Sequence, residues 1–339
     1  MRILSLDGGG IKGLLSALIL NYIETICETP IVDLFDIVSG ASTGAIITGM
    51  LVAPKEDSME PKYDTNDLVR VYRDDIPKLL TGSYLRDIRT IYGLYDNRFS
   101  ITKRNQYLEN YLGDLKLADT LRPVLIPANN VKTHRPYIFK TRHAKQHESR
   151  NVELRDVIIA ATSAPMMYYP HKVGDNLYSD CLSLQNPVMV AVSEVLKGGT
   201  PASDIVVLSI GTGYVEDGFS GSIYGISYAI NSVWASMNSQ KQSADYYARH
   251  ILDSNKYLRI DFPCPEEHIG TYDIRKENMD FLEKTAMRLF IQMAPKIGRL
   301  LKHLRNPEAS TRFDERIDMW IACHVPLPSI DSKTDKEAI

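Results

Sequence analysis

One serine lies in a short pattern that could carry nucleophilic chemistry. Gly40-Ala41-Ser42-Thr43-Gly44 follows the mostly apolar run 34–38 and precedes a small, apolar helical pattern. This order of strand, sharp turn and helix is typical of a nucleophile elbow, which exposes a serine hydroxyl at the edge of a sheet. Glycines at 40 and 44 would allow the close backbone approach of such a turn. We therefore predict Ser42 as the nucleophile of an acyl transfer.

A glycine run near the start of the chain could stabilise the oxyanion of that reaction. Gly8, Gly9 and Gly10 follow the apolar run 3–6 and open a helical pattern. Backbone N–H groups are unpaired at the start of a helix, and the helix dipole favours negative charge there. Together with the Thr43 amide, we predict that these residues form an oxyanion hole, each donor contributing on the order of 2.7–4 kcal/mol.

The same glycines permit a competing interpretation. Gly8-x-Gly10-x-x-Gly13 matches the dinucleotide fingerprint, between a predicted strand and a predicted helix. That motif requires an acidic residue roughly 20 positions further on, at the end of a second strand. Asp33 and Asp36 are near this distance, but they precede or begin the next strand. Nucleotide binding also leaves the serine motif unexplained, so we keep it as the less favoured alternative.

The general base is less obvious than the nucleophile. Histidine is the usual base for a serine. None of the eight histidines ends a predicted strand within a motif: they are His134, His143, His147, His171, His250, His268, His303 and His324. Asp180 follows an apolar and aromatic stretch, but a carboxylate needs burial to raise its pKa before it can serve a serine. A turn or helix-cap aspartate is the alternative that local sequence leaves open.

Composition and charge limit the classes of function. The 339 residues are 44% hydrophobic and 24% charged, which is ordinary for a globular protein. A net charge of -3 argues against a general nucleic-acid binder but not against a membrane-surface partner. The cysteines are scattered and predicted to be free thiols: Cys27, Cys181, Cys264 and Cys323.

Hydropathy favours a soluble protein. The one window of membrane-like hydropathy that we identify, 34–53, contains a single charge, Asp36, and fits a buried strand-turn-helix better than a membrane span. No signal peptide precedes the first predicted strand. We therefore expect a soluble, cytoplasmic protein, with peripheral membrane contact as a further expectation.

Alternating strand and helix patterns predict an α/β fold with a mostly parallel sheet covered on both faces. We predict one domain over 1–328, with a core over about 1–215, a mainly helical part over about 216–328, and a disordered tail over 329–339. The main predicted strands are 3–6, 124–127, 137–139, 205–210 and 257–260. The predicted helices are 14–26, a short one from 68 ended by Pro77, 154–162, 187–196 and 273–293 with Asp273 as N-cap, while 54–67 and 142–150 are predicted loops.

Five motifs follow one another along the chain. They are Asp7-Gly8-Gly9-Gly10-Ile11-Lys12-Gly13, Gly40-Ala41-Ser42-Thr43-Gly44, Ala161-Thr162-Ser163-Ala164-Pro165 with Tyr169-Pro170, Asp180 ahead of Asn186-Pro187, and Leu208-Ser209-Ile210-Gly211-Thr212-Gly213. With these motifs in this order, the sequence resembles patatin-like phospholipases from residue 3 to about residue 213.

The resemblance implies a three-layer α/β/α fold and a Ser-Asp dyad without histidine. By it, Ser42 is the nucleophile, Asp180 the base, 8–10 the oxyanion loop, and Lys12 the basic residue that often follows those glycines. It also implies lipid acyl hydrolysis through a serine acyl-enzyme, without a metal or other cofactor. The implied partners are a phospholipid or other acyl-lipid substrate and, transiently, a membrane surface.

The sequence departs from the family pattern beside the predicted base. The family usually has Asp-Gly-Gly or Asp-Gly-Ala, whereas Cys181 follows Asp180 here and the spacing to Asn186 is one residue shorter. Misplacement of the base by about 1 Å could lower activity 100-fold. The alternative function is therefore a catalytically weakened lipid- or partner-binding module. Apolar positions around Trp234 and in the tyrosine-rich region 84–95 are candidates for an acyl channel or membrane-docking rim, with core packing as their alternative role.

Overall fold

A computed structural model describes residues 1–56, 58–81, 99–215, 225–268 and 270–324 of the chain. The tyrosine-rich region 84–95 and the tail 329–339 lie outside the described residues. The predicted division of the chain near residue 215 likewise falls at the edge of a described range. These predictions therefore stay predictions.

The centre of the described part is a mixed, eight-stranded sheet. Its strands are β1 (Arg2–Leu6), β2 (Ile37–Gly40), β3 (Val124–Asn130), β4 (Arg135–Lys140), β5 (His171–Val173), β6 (Asn176–Asp180), β7 (Val206–Ile210) and β8 (Tyr257–Ile260). The order is β5-β6-β3-β2-β1-β7-β8, and β4 also pairs with β3. Strands β3, β2, β1, β7 and β8 are parallel, while β4, β6 and β5 are attached by antiparallel pairing.

The described helices lie on both faces of this sheet. They are α1 (Gly13–Cys27), α2 (Ile31–Leu34), α3 (Thr43–Leu51), α4 (Thr65–Arg70), α5 (Ile76–Leu80), α6 (Ile101–Leu112), α7 (Thr141–Gln146), α8 (Leu154–Ala161), α9 (Val188–Lys197), α10 (Gly225–Ile251), α11 (Lys276–Leu301) and α12 (Pro307–His324).

Alternation along the strands explains the two core layers. In β1, Leu4 and Leu6 join the larger core, which α1, α3, α8, α11 and α12 cover. Ile3 points to the other face and joins a smaller core with α9 and α10. Successive side chains of a strand face opposite sides of the sheet, so apolar residues at both parities require helices on both faces. The predicted three-layer α/β/α fold is confirmed.

Strand register brings the predicted site residues to one level. Leu6 pairs with Gly40 on one side and Ile210 on the other, so 7–10, 41–44 and 211–213 leave the sheet at one edge. Val38 pairs with Val124, and four residues further along β3 Ala128 pairs with Asp180. Four residues beyond Val38 along the chain is Ser42. Asp180 therefore reaches the edge at the height of the serine turn.

Two short segments differ from the prediction. Pro77 does not end a helix but lies in the first turn of α5, after α4 and a π-helical turn over Val71–Asp75. Proline is tolerated there because the first helical N–H groups need no partner within the helix. The predicted loop over 142–150 contains α7, a six-residue helix that is too short for periodicity to reveal.

The start of α11 was also predicted wrongly. Asp273 is not the N-cap: α11 begins at Lys276 with Arg275 in the N-cap position. The Asp273 carboxylate instead accepts hydrogen bonds from the backbone and the guanidinium of Arg275. An aspartate that folds back on its own turn looks in sequence like a cap.

The membrane-like window at 34–53 forms β2 and α3, as the strand-turn-helix interpretation predicted. It was wrong to regard it as the one such window: the segment Gly10–Cys27 is long and apolar enough to cross a membrane, and 72% of it is buried inside the fold. Core helices of this kind satisfy the same length and hydropathy criteria. The four cysteines are free, as predicted.

Candidate active site

Ser42 occupies a sharp turn between β2 and α3. Its backbone has φ 48° and ψ -119°, a conformation that a non-glycine residue rarely adopts. A Cβ at Gly40 would lie 2.2 Å from the Gly44 carbonyl oxygen, and one at Gly44 would lie 2.3 Å from the Leu6 carbonyl oxygen. The flanking glycines are therefore required by the close approach of backbone, as the sequence predicted. Strained conformations of this kind cost roughly 1–3 kcal/mol and cluster at functional sites.

Asp180 ends β6 and faces this turn. Its side chain is 4% exposed, and the Ser42 hydroxyl donates toward its carboxylate. Burial raises the Asp180 pKa from 3.8 to about 6, while hydrogen bonds from Ser42, Gln185 and the Cys181 backbone hold it from rising further. The structure thus brings the predicted nucleophile and the predicted base together, and gives the base the raised pKa that its role requires.

Histidine has no place in this arrangement. All eight histidines lie in the described residues, and none makes a hydrogen bond with Ser42 or Asp180 in that part of the chain. His171 is paired with Asp156 at 2.9 Å, and His268 with Asn278 at 3.0 Å. The preference for a carboxylate base over a histidine is consistent with these positions.

The glycine loop offers N–H groups beside Ser42, but not all those predicted. The Gly8 N–H donates to the Gln185 carbonyl oxygen at 2.8 Å, so it is occupied and the prediction of Gly8 as an oxyanion donor does not hold in this structure. Among the described residues no acceptor is found for the N–H groups of Gly9, Gly10 or Thr43. These three amides are the available oxyanion donors.

Contacts on the far side of the loop explain its glycines. A Cβ at Gly8 would lie 1.8 Å from Gln185 Oε1, and one at Gly9 would lie 2.3 Å from Thr212 Oγ1. The Thr212 hydroxyl donates to the Gly8 carbonyl oxygen at 2.6 Å, and Lys241 Nζ donates to the Thr212 hydroxyl oxygen at 2.7 Å. The Gly-Thr-Gly turn after β7 therefore holds the loop in place.

A buried ion network fixes the base of the loop. Arg259 on β8 contacts Asp7 at 2.6 and 2.8 Å and Asp261 at 2.6 Å, and all three side chains are almost fully buried. Burial alone would lower the Arg259 pKa, but Asp7 and Asp261 outweigh it and raise that pKa well above its ordinary value. The network ties the ends of β1 and β8 together directly below the oxyanion donors.

An apolar pocket opens beside Ser42. The empty space between its walls, together with the open solvent at its mouth, amounts to about 820 Å³. Ser42, Thr43 and Gly10 lie on its wall. The other described lining residues are Ile46, Met50, Val71, Ile76, Leu79, Leu80, Arg104, Tyr107, Leu108, Tyr111, Leu112, Thr162, Tyr168 and Tyr272. Such a pocket can hold an acyl chain with its ester carbonyl between the serine and the free amides.

A family model described as patatin-like phospholipase matches residues 4–192. The chain belongs to the patatin-like phospholipase family. Patatin-like protein 3 of Arabidopsis thaliana is 27% identical, over 92% of this chain and 87% of that protein. Patatin-like protein 4 of the same plant is 31% identical, over 63% of this chain and 59% of that protein. Probable inactive patatin-3-Kuras 1 of Solanum tuberosum is 26% identical, over 77% of this chain and 78% of that protein.

Cys181 follows Asp180 at a position where glycine is usual in the family, so its effect on the position of Asp180 matters. Its backbone has φ -88° and ψ 83°, so this position does not require glycine. Cys181 is 2% exposed, and its sulfur lies 3.6 Å from the Ser183 hydroxyl oxygen. Asp180 stays within reach of Ser42 despite the cysteine.

Gln185 is a site residue that sequence reasoning missed. Its side-chain amide donates to Asp180 Oδ1 at 2.9 Å and to the Cys181 carbonyl oxygen at 3.2 Å. Its backbone carbonyl oxygen accepts from the Gly8 N–H. It is 1% exposed and thus links the carboxylate to the glycine loop. Its place directly before Asn186-Pro187, inside one of the patatin motifs, was the available signal.

The residues named by the weaker expectations lie elsewhere. Lys12 is buried and is not among the described residues that line the pocket. Burial, followed by the charge of Lys241, lowers its pKa to about 8. Trp234 is absent from the described pocket wall. The wall instead comes mainly from α3, α5, α6 and the π-helical turn. That these elements surround one pocket follows from how they pack, which local sequence does not show.

The geometry opposes a dinucleotide site. Thr271 covers the loop on the side of the Gly10 Cα, because its carbonyl oxygen accepts from the Ile11 N–H at 2.9 Å and would lie 2.1 Å from a Cβ at Gly10. Asp36 precedes β2, at the opposite edge of the sheet, where it accepts from the Arg2 N–H at 2.8 Å. The acidic group that the fingerprint needs is therefore at the wrong end of the strand.

Proposed function

We propose that this patatin-like protein is a serine lipid acyl hydrolase that removes ester-linked fatty acids from phospholipids or related lipids. One observation carries the proposal. Ser42, held in a strained turn, faces the buried Asp180 carboxylate on one side and free backbone amides on the other, at the wall of an apolar pocket.

In the first half of the proposed reaction, Ser42 Oγ attacks the ester carbonyl carbon and Asp180 accepts the hydroxyl proton. The carbonyl π electrons move to oxygen, where the amides of Gly9, Gly10 and Thr43 stabilise the negative charge. When the tetrahedral intermediate collapses, the bond to the leaving alcohol breaks and Asp180 returns the proton to that oxygen. The product is an acyl-enzyme on Ser42 and a free lysolipid or alcohol.

In the second half, water replaces the alcohol and the same groups act in the same order. Asp180 accepts a proton from the water as the water oxygen attacks the acyl carbon. Collapse of this intermediate breaks the bond to Ser42 Oγ, which takes back the proton, and the fatty acid leaves. A pKa of about 6 suits both directions, since the group is ionised near neutral pH yet is basic enough to accept a proton.

We propose further that the protein is cytoplasmic and meets its substrate at a membrane surface. The loop after Ala164-Pro165 supports surface contact: Met166 and Tyr169 are 36% and 51% exposed, while Tyr168 between them lines the pocket. Apolar and aromatic side chains at the mouth of a pocket can enter the interfacial region of a bilayer. Transient contact would allow a single lipid to reach Ser42.

The direct test combines covalent labelling with product release. A fluorophosphonate probe should label the wild-type protein, and liposomes of phosphatidylcholine should release fatty acid when it is added. Ser42→Ala should lose both signals. Asp180→Asn should fold normally but lose at least about 100-fold in turnover, since general base catalysis contributes roughly this much. Lipid hydrolysis that survives Ser42→Ala would contradict the proposal.

A second candidate function is a patatin-fold module that binds lipid or a partner with little catalysis. Cys181, at a position where the family usually has glycine, is the observation that favours it. Labelling of Ser42 without release of fatty acid from any lipid ester would support this candidate. Restoring glycine by Cys181→Gly would then be expected to increase turnover.

A further inference from the structure

Arg104 is the one charged side chain among the described residues that line the mostly apolar pocket. Arg104 lies on α6, is 4% exposed, and lines the same pocket as Ser42. Burial lowers its pKa to about 10, so it still carries a positive charge at neutral pH. A buried charge is costly unless it is paired or hydrogen-bonded.

The protein satisfies this arginine only in part. Arg104 Nη1 donates to the Ser163 hydroxyl at 3.2 Å and, at the limit of 3.5 Å, to the Thr162 carbonyl oxygen. The guanidinium carbon lies 4.1 Å from the centre of the Tyr168 ring. Nε is buried without a hydrogen-bond partner, and no carboxylate of the described residues forms an ion pair with Arg104.

A structural role accounts for some of these contacts but not for the charge. Nη1 lies at the carboxyl end of α8, where the helix dipole favours a cation. A neutral donor could cap the same carbonyl. Arg259, the comparison inside the same fold, is equally buried but has two carboxylates, Asp7 and Asp261, within 2.8 Å. Among the residues that the structure describes, no carboxylate pairs with Arg104 as Asp7 and Asp261 pair with Arg259.

The arginine is also close to the reacting groups. The Ser163 hydroxyl accepts from Arg104, and the Ser163 carbonyl oxygen accepts from the Asp180 N–H at 3.0 Å. Ser163 therefore contacts both Arg104 and the backbone of the predicted base. Because Arg104 and Ser42 also line the same pocket, an anion bound at Arg104 would share that pocket with the ester under attack.

From this position we infer that Arg104 binds the phosphate of a glycerophospholipid whose ester carbonyl lies at Ser42. In such a lipid the phosphate is a few bonds from the ester carbonyl, so both groups must lie in one pocket, as Arg104 and Ser42 do. Guanidinium groups bind phosphate oxygens by strong, charge-assisted hydrogen bonds. The inference rests on the proposed lipid hydrolase function and makes Arg104 the residue that selects phospholipids over neutral glycerides.

The test compares two lipids that differ only in the phosphocholine headgroup, which one of them lacks. Phosphatidylcholine and diacylglycerol with identical acyl chains are presented in the same mixed micelles, and kcat/KM is measured for each. For Arg104→Gln we expect a roughly 10- to 100-fold loss on phosphatidylcholine, as for removal of a hydrogen bond to a charged group, and a much smaller loss on diacylglycerol. Arg104→Lys should fall between, because it keeps the charge but loses the planar donors.

Lys103 provides the matched control. It precedes Arg104 on α6 but is exposed, so Lys103→Gln removes the same charge from the helix without touching the pocket and should change neither rate. The rate of fluorophosphonate labelling reports whether each variant keeps its folded dyad. If Arg104→Gln does not label, Arg104→Lys carries the comparison.

Three outcomes would overturn the inference. Equal losses on both lipids would make Arg104 a positioning residue for Ser163 and Asp180. No loss on either lipid would show that the charge does not contact substrate. If Arg104→Gln made the enzyme less sensitive to inhibition by added fatty acid but left the lipid preference unchanged, Arg104 would be assigned to the product carboxylate. Failure of the wild-type protein to hydrolyse either lipid would instead contradict the proposed function itself.

Discussion

At the scale of single residues, the function depends on how burial changes one carboxyl group. Asp180 has no histidine to assist it, and its pKa is raised from 3.8 to about 6 because it is buried. Only the ionised form can accept the Ser42 proton. The environment that makes this carboxylate a usable base therefore also sets the pH at which it stops working.

The first prediction is an acid limb in the pH dependence of the reaction. For a short-chain ester, kcat/KM should be level above about pH 7 and fall tenfold per pH unit below about pH 6, because the base becomes protonated. Steady-state rates between pH 5 and 9 measure this directly. A limb centred near pH 4 would show that Asp180 is not the base or is solvated during the reaction.

The second prediction concerns Gln185. Replacing it with leucine removes a donor that holds down the Asp180 pKa, so the acid limb should move to higher pH. At pH 7 the rate should fall by roughly tenfold or more, since a hydrogen bond to a charged group is lost. Gln240→Leu is the matched control, because Gln240 bonds to the backbone of the neighbouring Asn186 and not to Asp180. A rate loss for Gln185→Leu with an unmoved limb would indicate only a packing defect.

At the scale of elements, the site is made where three strand ends meet. The glycine loop, the serine turn and the Gly-Thr-Gly turn leave β1, β2 and β7 at one edge. The closeness of these turns is what requires glycine, and it can be tested apart from the chemistry.

The third prediction compares two glycines. Gly40→Ala places a Cβ 2.2 Å from the Gly44 carbonyl oxygen, so both backbone segments must move. We expect a loss of about 1–3 kcal/mol or more in the free energy of unfolding, together with loss of Ser42 labelling. Gly113 has φ 52° and ψ -133° with no neighbour within 4 Å, so Gly113→Ala should cost about 1–3 kcal/mol through backbone strain alone and leave labelling intact. Urea unfolding and probe labelling measure both. Equal behaviour of the two variants would refute the close-approach argument.

The site residues that lie in short motifs at this edge of the sheet could be predicted from local sequence. The residues that reach the site from distant segments could not, for a physical reason. Ser42, Gly9, Gly10 and Asp180 lie in contiguous motifs at strand ends, where the pattern of apolar runs and glycines is informative. Gln185, Arg104 and Lys241 act through contacts between segments far apart in sequence. The pairing of such segments depends on strand register and helix packing, which local periodicity does not contain. Helices as short as α7 are missed for another reason, because six residues are too few to show the helical period in hydrophobicity.

At the scale of the whole molecule, the rest of the fold keeps a carboxylate buried at the site, although burying that charge lowers the stability of the folded chain. The core on both sheet faces, with the Asp7–Arg259–Asp261 network, supplies a frame rigid enough to keep Asp180 buried next to Ser42. Residues that serve catalysis are then not the ones that would be best for folding.

The fourth prediction follows from the sign of the Asp180 shift. An acid whose pKa is higher in the folded chain binds its proton more tightly there; its favourable contribution is full below about pH 4 and is lost as pH rises through about 6. The ionised carboxylate therefore destabilises the fold by about 3 kcal/mol near pH 8, and by roughly half of that near pH 5. Asp180→Asn removes the charge and keeps the shape, so it should raise the free energy of unfolding most at pH 8 and progressively less towards pH 4. Urea titrations at several pH values measure the difference, and Asp74→Asn, the same change on an exposed side chain, should show no such trend. A destabilised Asp180→Asn at pH 8 would mean that its hydrogen bonds outweigh the burial of its charge, and the base would then be far less activated than the mechanism needs.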